Sequence, residues 1–295
     1  MVVRTQETDM SDKIYFSTTK KFNFRKSMIN LTTRLHHRIA PKHAEKTAKK
    51  LLLTPVRLKP KNPEPKDIIK ESVLSKEGLL TTYRLGTGPV WILTHGWSGS
   101  ANQFYPLMQH IADQGFTAVA YDHPGHGNSE GSVGHIPAFV QGLETVLESF
   151  DHIEGLIGHS MGTATAIECQ HPKLINKPFL LIAPVLDYQD NLFGSVERSG
   201  YSMRLFKKVI ADVEQQYSYP LASVDPFNKL KHRNASTIIV HDPKDRFAKF
   251  TESERAAKEM AKVSLVTTNG QGHGRIMKSQ EVMGAFDKLV KLKTH

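Results

Sequence analysis

The 295-residue sequence predicts an α/β chain: a doubly wound, mostly parallel sheet with helices on both faces and an inserted helical lid. Three observations predict it. The runs "VWILTH" (90–95), "FTAVAYD" (116–122), "IEGLIGH" (153–159), "FLLIAP" (179–184), "TIIVHD" (237–242) and "VSLVTT" (263–268) are short, apolar and rich in Val and Ile, as strands buried on both faces are. Helical stretches near 101–114, 135–149, 161–171, 249–261 and 275–292 lie between them, the alternation that parallel crossovers require. The interval between the strands at 179–184 and 237–242 is far longer than a crossover needs, which marks residues 185–235 as an insertion.

Taken in order, residues 1–26 are polar and without sustained period. From Ser27, Met28, Leu31, Leu35 and Ile39 fall at helical spacing; Pro41 interrupts, and a second helical stretch runs through Ala44, Ala48, Leu51 and Leu52. Pro55, Pro60, Pro63 and Pro65 then predict an extended, semi-rigid linker. Residues 1–66 thus read as an N-terminal extension and 67–295 as the α/β domain. That domain opens with a hairpin, 68–75 and 79–85, turning at Glu77-Gly78. Within the insertion, Tyr201, Leu205, Val209 and Val213 recur at helical spacing, and Phe193, Tyr201, Met203 and Phe206 suggest an apolar lining.

Charge divides the chain at the same place. Residues 1–66 carry 16 Lys and Arg against 5 acids, while the remainder carries 23 against 24, so the net charge of +10 describes the extension. Its basic amphipathic helix leaves three readings: a solvated helix packed on the body, peripheral contact with an anionic membrane, or nucleic acid, for which no recognition motif is present. There is no run of about 18 apolar residues and no signal-peptide h-region, so a cytoplasmic chain is expected, membrane-associated if the extension binds lipid. The one cysteine, Cys169, cannot form an internal disulfide and reads as a small buried side chain.

The chemistry gathers around Gly158-His159-Ser160-Met161-Gly162, a G-x-S-x-G after an apolar strand and before a helix. A serine on so sharp a turn needs small neighbours, and the helix N-terminus behind it favours developing negative charge. A serine hydroxyl also needs a base, itself oriented by an acid. "TIIVHDPKDRF" offers Asp245, with Asp242 as its rival at the strand end, and "TTNGQGHGRIM" offers His273 in a glycine-rich loop. An oxyanion would be met by the backbone N–H of Met161 and by that of Trp97, in the loop His95-Gly96-Trp97-Ser98-Gly99. Neither phosphate-loop nor metal-ligand spacing occurs, so no metal and no cofactor are expected.

With "HGWSG" (95–99), "DHPGHGNS" (122–129), "GHSMG" (158–162), the Asp245 turn and the His273 loop in one order, residues 68–295 resemble the α/β-hydrolase superfamily. The resemblance implies a serine hydrolase with the triad Ser160, Asp245 and His273, acting on a small-molecule ester or thioester. Acyl transfer, C–C hydrolysis and cofactor-free peroxidation use the same triad, and a non-catalytic ligand-binding protein is the alternative of another class. Asp122, His123 and His126 are expected to be structural. Thr163 stands where many relatives have a further glycine.

Overall fold

The computed structural model describes residues 24–291, so the expectation for most of residues 1–26 lies outside the described chain. Eight strands form one sheet: β1 (Ile69–Ser75), β2 (Gly78–Leu85), β3 (Val90–Thr94), β4 (Thr117–Tyr121), β5 (Gly155–His159), β6 (Phe179–Ile182), β7 (Thr237–His241) and β8 (Val263–Thr267). They lie in the order β1-β2-β4-β3-β5-β6-β7-β8. The β1–β2 hairpin pairs antiparallel within itself and onto β4; every later pairing is parallel. Every residue of β4, β5, β6 and β7 is buried, which is why these runs carry no alternation of apolar and polar residues.

Eleven α-helices follow among the described residues: α1 (Phe24–Ile39), α2 (Pro41–Leu53), α3 (Tyr105–Asp113), α4 (Ile136–Glu148), α5 (Met161–Glu168), α6 (Tyr188–Ser199), α7 (Met203–Tyr217), α8 (Pro226–Lys231), α9 (Phe250–Glu259), α10 (Gly272–Arg275) and α11 (Gln280–Lys291). On one face of the sheet Trp91, Leu93, Phe104, Leu107, Met108 and Phe286 form a continuous core, with Trp91 meeting Phe286 edge-on at 5.1 Å.

The described chain divides into two compact units. The smaller comprises residues 24–52 and 189–223 and the larger 53–188 and 224–291. Inside the smaller unit Lys208 binds Glu45 at 2.5 Å, and the Asn30 amide donates to the Gly200 carbonyl at 3.4 Å. Inside the larger unit the Pro-rich segment is extended and strapped down. Arg57 donates to the carbonyls of Gly127, Ser129 and Gly131, and Asn62 and Asn102 exchange hydrogen bonds.

The site is positioned by chain order. β3 is flanked by β4 on one side and β5 on the other, so successive crossovers leave in opposite directions there. Such a switch point opens a crevice at the carboxyl ends of the two strands. The loop 95–99 leaves β3 at that end, and Ser160 leaves β5.

Candidate active site

Ser160 sits between β5 and α5 with φ 54° and ψ −124°, a left-handed conformation that costs a non-glycine residue energy. The surrounding packing enforces it. A Cβ on Gly162 would stand 2.2 Å from the Thr94 carbonyl oxygen and 2.7 Å from that of His95, so α5 can start flush against the end of β3 only with glycine there. Thr163 braces the turn: its hydroxyl donates to the Ser160 carbonyl at 2.6 Å and accepts the Val185 N–H at 3.1 Å.

The structure brings Ser160, His273 and Asp245 into one hydrogen-bonded line. Ser160 Oγ lies 2.8 Å from His273 Nε2, and His273 Nδ1 lies 2.7 Å from Asp245 Oδ2. Ionised, Asp245 can only accept, so Nδ1 carries the ring proton and Nε2 is left with a lone pair toward the serine hydroxyl. An imidazole nitrogen so placed can accept the proton of a serine hydroxyl. Burial pushes the Asp245 carboxyl up, but hydrogen bonds from His241, His273 and the Phe247 backbone outweigh it and hold it well below the usual carboxylate range.

Two members of this network were not anticipated. His241, the last residue of β7, is fully buried; its Nε2 is 3.2 Å from Asp245 Oδ2 and its Nδ1 2.8 Å from Ser253 Oγ. By the same acceptor argument its proton is on Nε2, so Asp245 is held by two imidazoles and by the Phe247 and Ala248 amides. His159, within the serine motif, donates from Nε2 to the His273 carbonyl at 2.9 Å and so ties the histidine loop to the elbow. A histidine four residues before the acid, and one adjacent to the serine, were the available signals. Nothing local in the sequence assigns their partners.

Asp242 does not meet His273. Its Oδ1 accepts the Lys244 N–H, and its Oδ2 accepts the Thr268 hydroxyl at 2.8 Å and the Gln271 N–H at 2.6 Å. It therefore pins the loop 268–272 that delivers His273. Met161 is the first residue of α5, a position whose backbone N–H has no partner within the helix. Trp97 lies in a tight turn closed by the Gly99 N–H on the Gly96 carbonyl. A Cβ on Gly96 would come within 2.7 Å of Ser160 Cβ and 3.2 Å of its Oγ, so this backbone runs directly against the serine. The Trp97 ring is half-exposed and meets His126 edge-on at 5.5 Å.

Beneath that loop, Asp122 accepts the Ala101 and Asn128 amides and the Tyr83 hydroxyl. His95, His123 and His126 are buried beside it. His95 donates from Nδ1 to the Gly96 carbonyl and accepts the His123 N–H at Nε2. Burial, the largest influence on each, disfavours the imidazolium: His95 is lowered to about 4, His126 and His159 to about 3, and His123 well below its ordinary range. Unfolding restores the ordinary 6.5, so below that pH the unfolded chain binds more protons and native stability falls on acidification, down to about 4 and 3. Asp122, whose buried carboxyl is raised, opposes this by at most one proton. Thermal melts should therefore drop steadily from about pH 7 to about pH 5, with net uptake of roughly two or more protons on unfolding. A flat profile would mean that these histidines are charged in the fold.

A family model described as serine aminopeptidase, S33, matches residues 89–268. A Mycobacterium phage D29 protein whose name places it among the non-heme haloperoxidases is 32% identical over 115 residues, 37% of this chain and 41% of that protein. The pimeloyl-[acyl-carrier protein] methyl ester esterase of Stenotrophomonas maltophilia is 50% identical over 44 residues, 15% of this chain and 17% of its own. The chain thus spans less than half the length of either relative. Among solved structures, the Pyrococcus furiosus esterase Pf2001 shares the fold, with a TM-score of 0.62 at 18% identity, over 82% of this chain and 98% of that one. The family model covers more than half of the sequence, and the chain belongs to the serine aminopeptidase S33 family of α/β-hydrolases.

Proposed function

We propose that this hydrolase cleaves a carboxylic ester or thioester through an acyl-enzyme on Ser160. The observation that carries the reading is the line Ser160 Oγ–His273 Nε2, His273 Nδ1–Asp245 Oδ2, at 2.8 and 2.7 Å. His273 takes the hydroxyl proton as Oγ attacks the carbonyl carbon, and Asp245 balances the imidazolium. The backbone N–H groups of Met161 and Trp97 receive the negative oxygen of the tetrahedral intermediate. The alkoxide or thiolate leaves with the proton from Nε2; water, deprotonated by the same nitrogen, then releases the acid and restores Ser160.

Likeness to a methyl ester esterase supports an ester, while the haloperoxidase-named relative keeps peroxidation by the same triad as the second reading. A lid role for residues 185–235 belongs to the same proposal. A fluorophosphonate probe should give one covalent adduct, on the peptide carrying Ser160. p-Nitrophenyl esters of increasing chain length should be turned over without peroxide. No adduct would overturn the acyl-enzyme, and turnover only with peroxide and halide would favour the second reading.

A further inference from the structure

The amphipathicity of α1 is turned outward. Phe24, Met28, Leu31, Leu35 and Ile39 are between 47% and 73% exposed. At about 100° per residue these five side chains fall within an arc of about 80° and form a ridge about 22 Å long. The opposite face, with Lys26, Ile29, Asn30, Thr33, His36 and His37, is the half-buried one, and its inward contacts include the Asn30 bond to the Gly200 carbonyl, Lys26 against Gly200 and His37 with Glu45. A helix folded only to seal the smaller unit would place Leu31 and Leu35 inside and Asn30 and Thr33 in water. Here the order is reversed, and none of the residues of α1 is buried.

The flanks of the ridge say what covers it. Arg25 lies on one side and Arg34 and Arg38 on the other, all exposed, and α1 contains no acidic residue. In the next helix Lys42, Lys46 and Lys50 recur every fourth residue and are exposed, while its one acid, Glu45, is engaged by Lys208 and His37. An apolar protein partner would be met by a ridge with neutral or mixed flanks. An apolar ridge bordered by exposed cations on a helix without acids matches a surface with acyl chains below and negative charge above.

We propose that α1 lies in the interface of an anionic phospholipid bilayer, with Phe24, Met28, Leu31, Leu35 and Ile39 among the upper acyl chains and Arg25, Arg34 and Arg38 at the phosphates. The ridge supplies apolar contact and the arginines select negative lipid. Both are needed, because one short helix with weak net hydrophobicity binds neutral lipid poorly. The attachment is peripheral: no helix among the described residues is long and apolar enough to cross a membrane.

The full-length chain, spun with vesicles of phosphatidylcholine mixed with phosphatidylglycerol, should pellet at least about tenfold more than with phosphatidylcholine alone, and less as salt is raised. Leu31→Ser with Leu35→Ser, and separately Arg25→Gln with Arg34→Gln and Arg38→Gln, should each lower pelleting about tenfold or more. All five positions are exposed, so the helical circular-dichroism signal and turnover of a soluble ester should stay unchanged in both variants. Absence of wild-type pelleting on anionic vesicles would overturn the proposal. So would unchanged pelleting of the serine variant, which would place binding in the basic residues 1–23. Self-association of the wild type that the serine variant abolishes, without vesicle binding, would assign the ridge to a second copy instead.

Discussion

Ser160→Ala should lower kcat/KM for any turned-over ester by at least about 10⁴-fold, with KM little changed and the melting temperature within a few degrees of wild type. The loss is large because the substitution removes the oxygen that, in the proposed mechanism, forms the acyl bond, and leaves the rest of the site in place. The small effect on stability follows from the geometry. The backbone strain at φ 54° persists with alanine, and a single partly exposed hydrogen bond to His273 is lost. His273→Ala should cost a similar factor, and the double variant scarcely more than either alone, since neither group acts without the other. Additive losses would show that the two side chains work in separate steps. Retention of full ester turnover in Ser160→Ala would remove the acyl-enzyme altogether.

The centre of the sheet was legible because β4 to β7 are buried on both faces, and a run such as "TIIVH" has few other conformations that hide it. Helix boundaries were less so. The stretch expected at 101–114 begins as a 3-10 turn, Ala101–Phe104, and becomes α3 where Pro106 stands in the first turn, with no N–H to waste. The stretch expected at 275–292 is interrupted by extended Ser279, whose hydroxyl accepts the Val282 N–H and restarts the chain as α11. α6 leaves little trace in the sequence, because "YQDNLFGSVERS" is mostly polar and has a glycine in the middle.

The candidate site shows the same division. Ser160 announces itself through the small residues that its turn requires, a local constraint. His159 and His241 do not, because what each of them does depends on fold contacts: His159 reaches a carbonyl 114 residues away, and His241 reads as any strand-end residue until Asp245 folds back beneath it. Asp242 was visible as an acid but ambiguous in role, since two carboxylates three residues apart satisfy the same pattern. The Arg57 strap was read only as part of a linker, since its partners are main-chain carbonyls, which leave no trace in sequence.

Those two carboxylates give the second large prediction. In Asp245→Asn one amide oxygen can still accept the Phe247 and Ala248 N–H groups, which leaves the NH₂ facing His273 Nδ1. A donor there forces the ring proton onto Nε2, where it confronts the serine hydroxyl and removes the base. His241 Nε2, donating to the same oxygen, meets that NH₂ as well and must also change its tautomer. A loss of about 10⁴-fold in kcat is expected, the scale seen when a triad base is held in the wrong tautomer, together with slowed fluorophosphonate labelling. Asp242→Asn should act differently. Its Oδ2 receives a hydroxyl that can reverse, from Thr268, and the Gln271 N–H, which cannot. The asparagine must set its NH₂ against either the Gln271 or the Lys244 N–H, so one amide is badly paired; stability should fall by about 1–3 kcal/mol while kcat falls only about tenfold, through a loosened His273 loop. Comparing kcat in the two variants separates the roles: a loss of about 10⁴-fold for Asp245, whatever its added cost in stability, and a loss of about tenfold for Asp242. The reverse pattern would transfer the acid of the triad from Asp245 to Asp242. It would also require the 268–272 loop to move far enough for His273 Nδ1 to leave the oxygen that it faces at 2.7 Å.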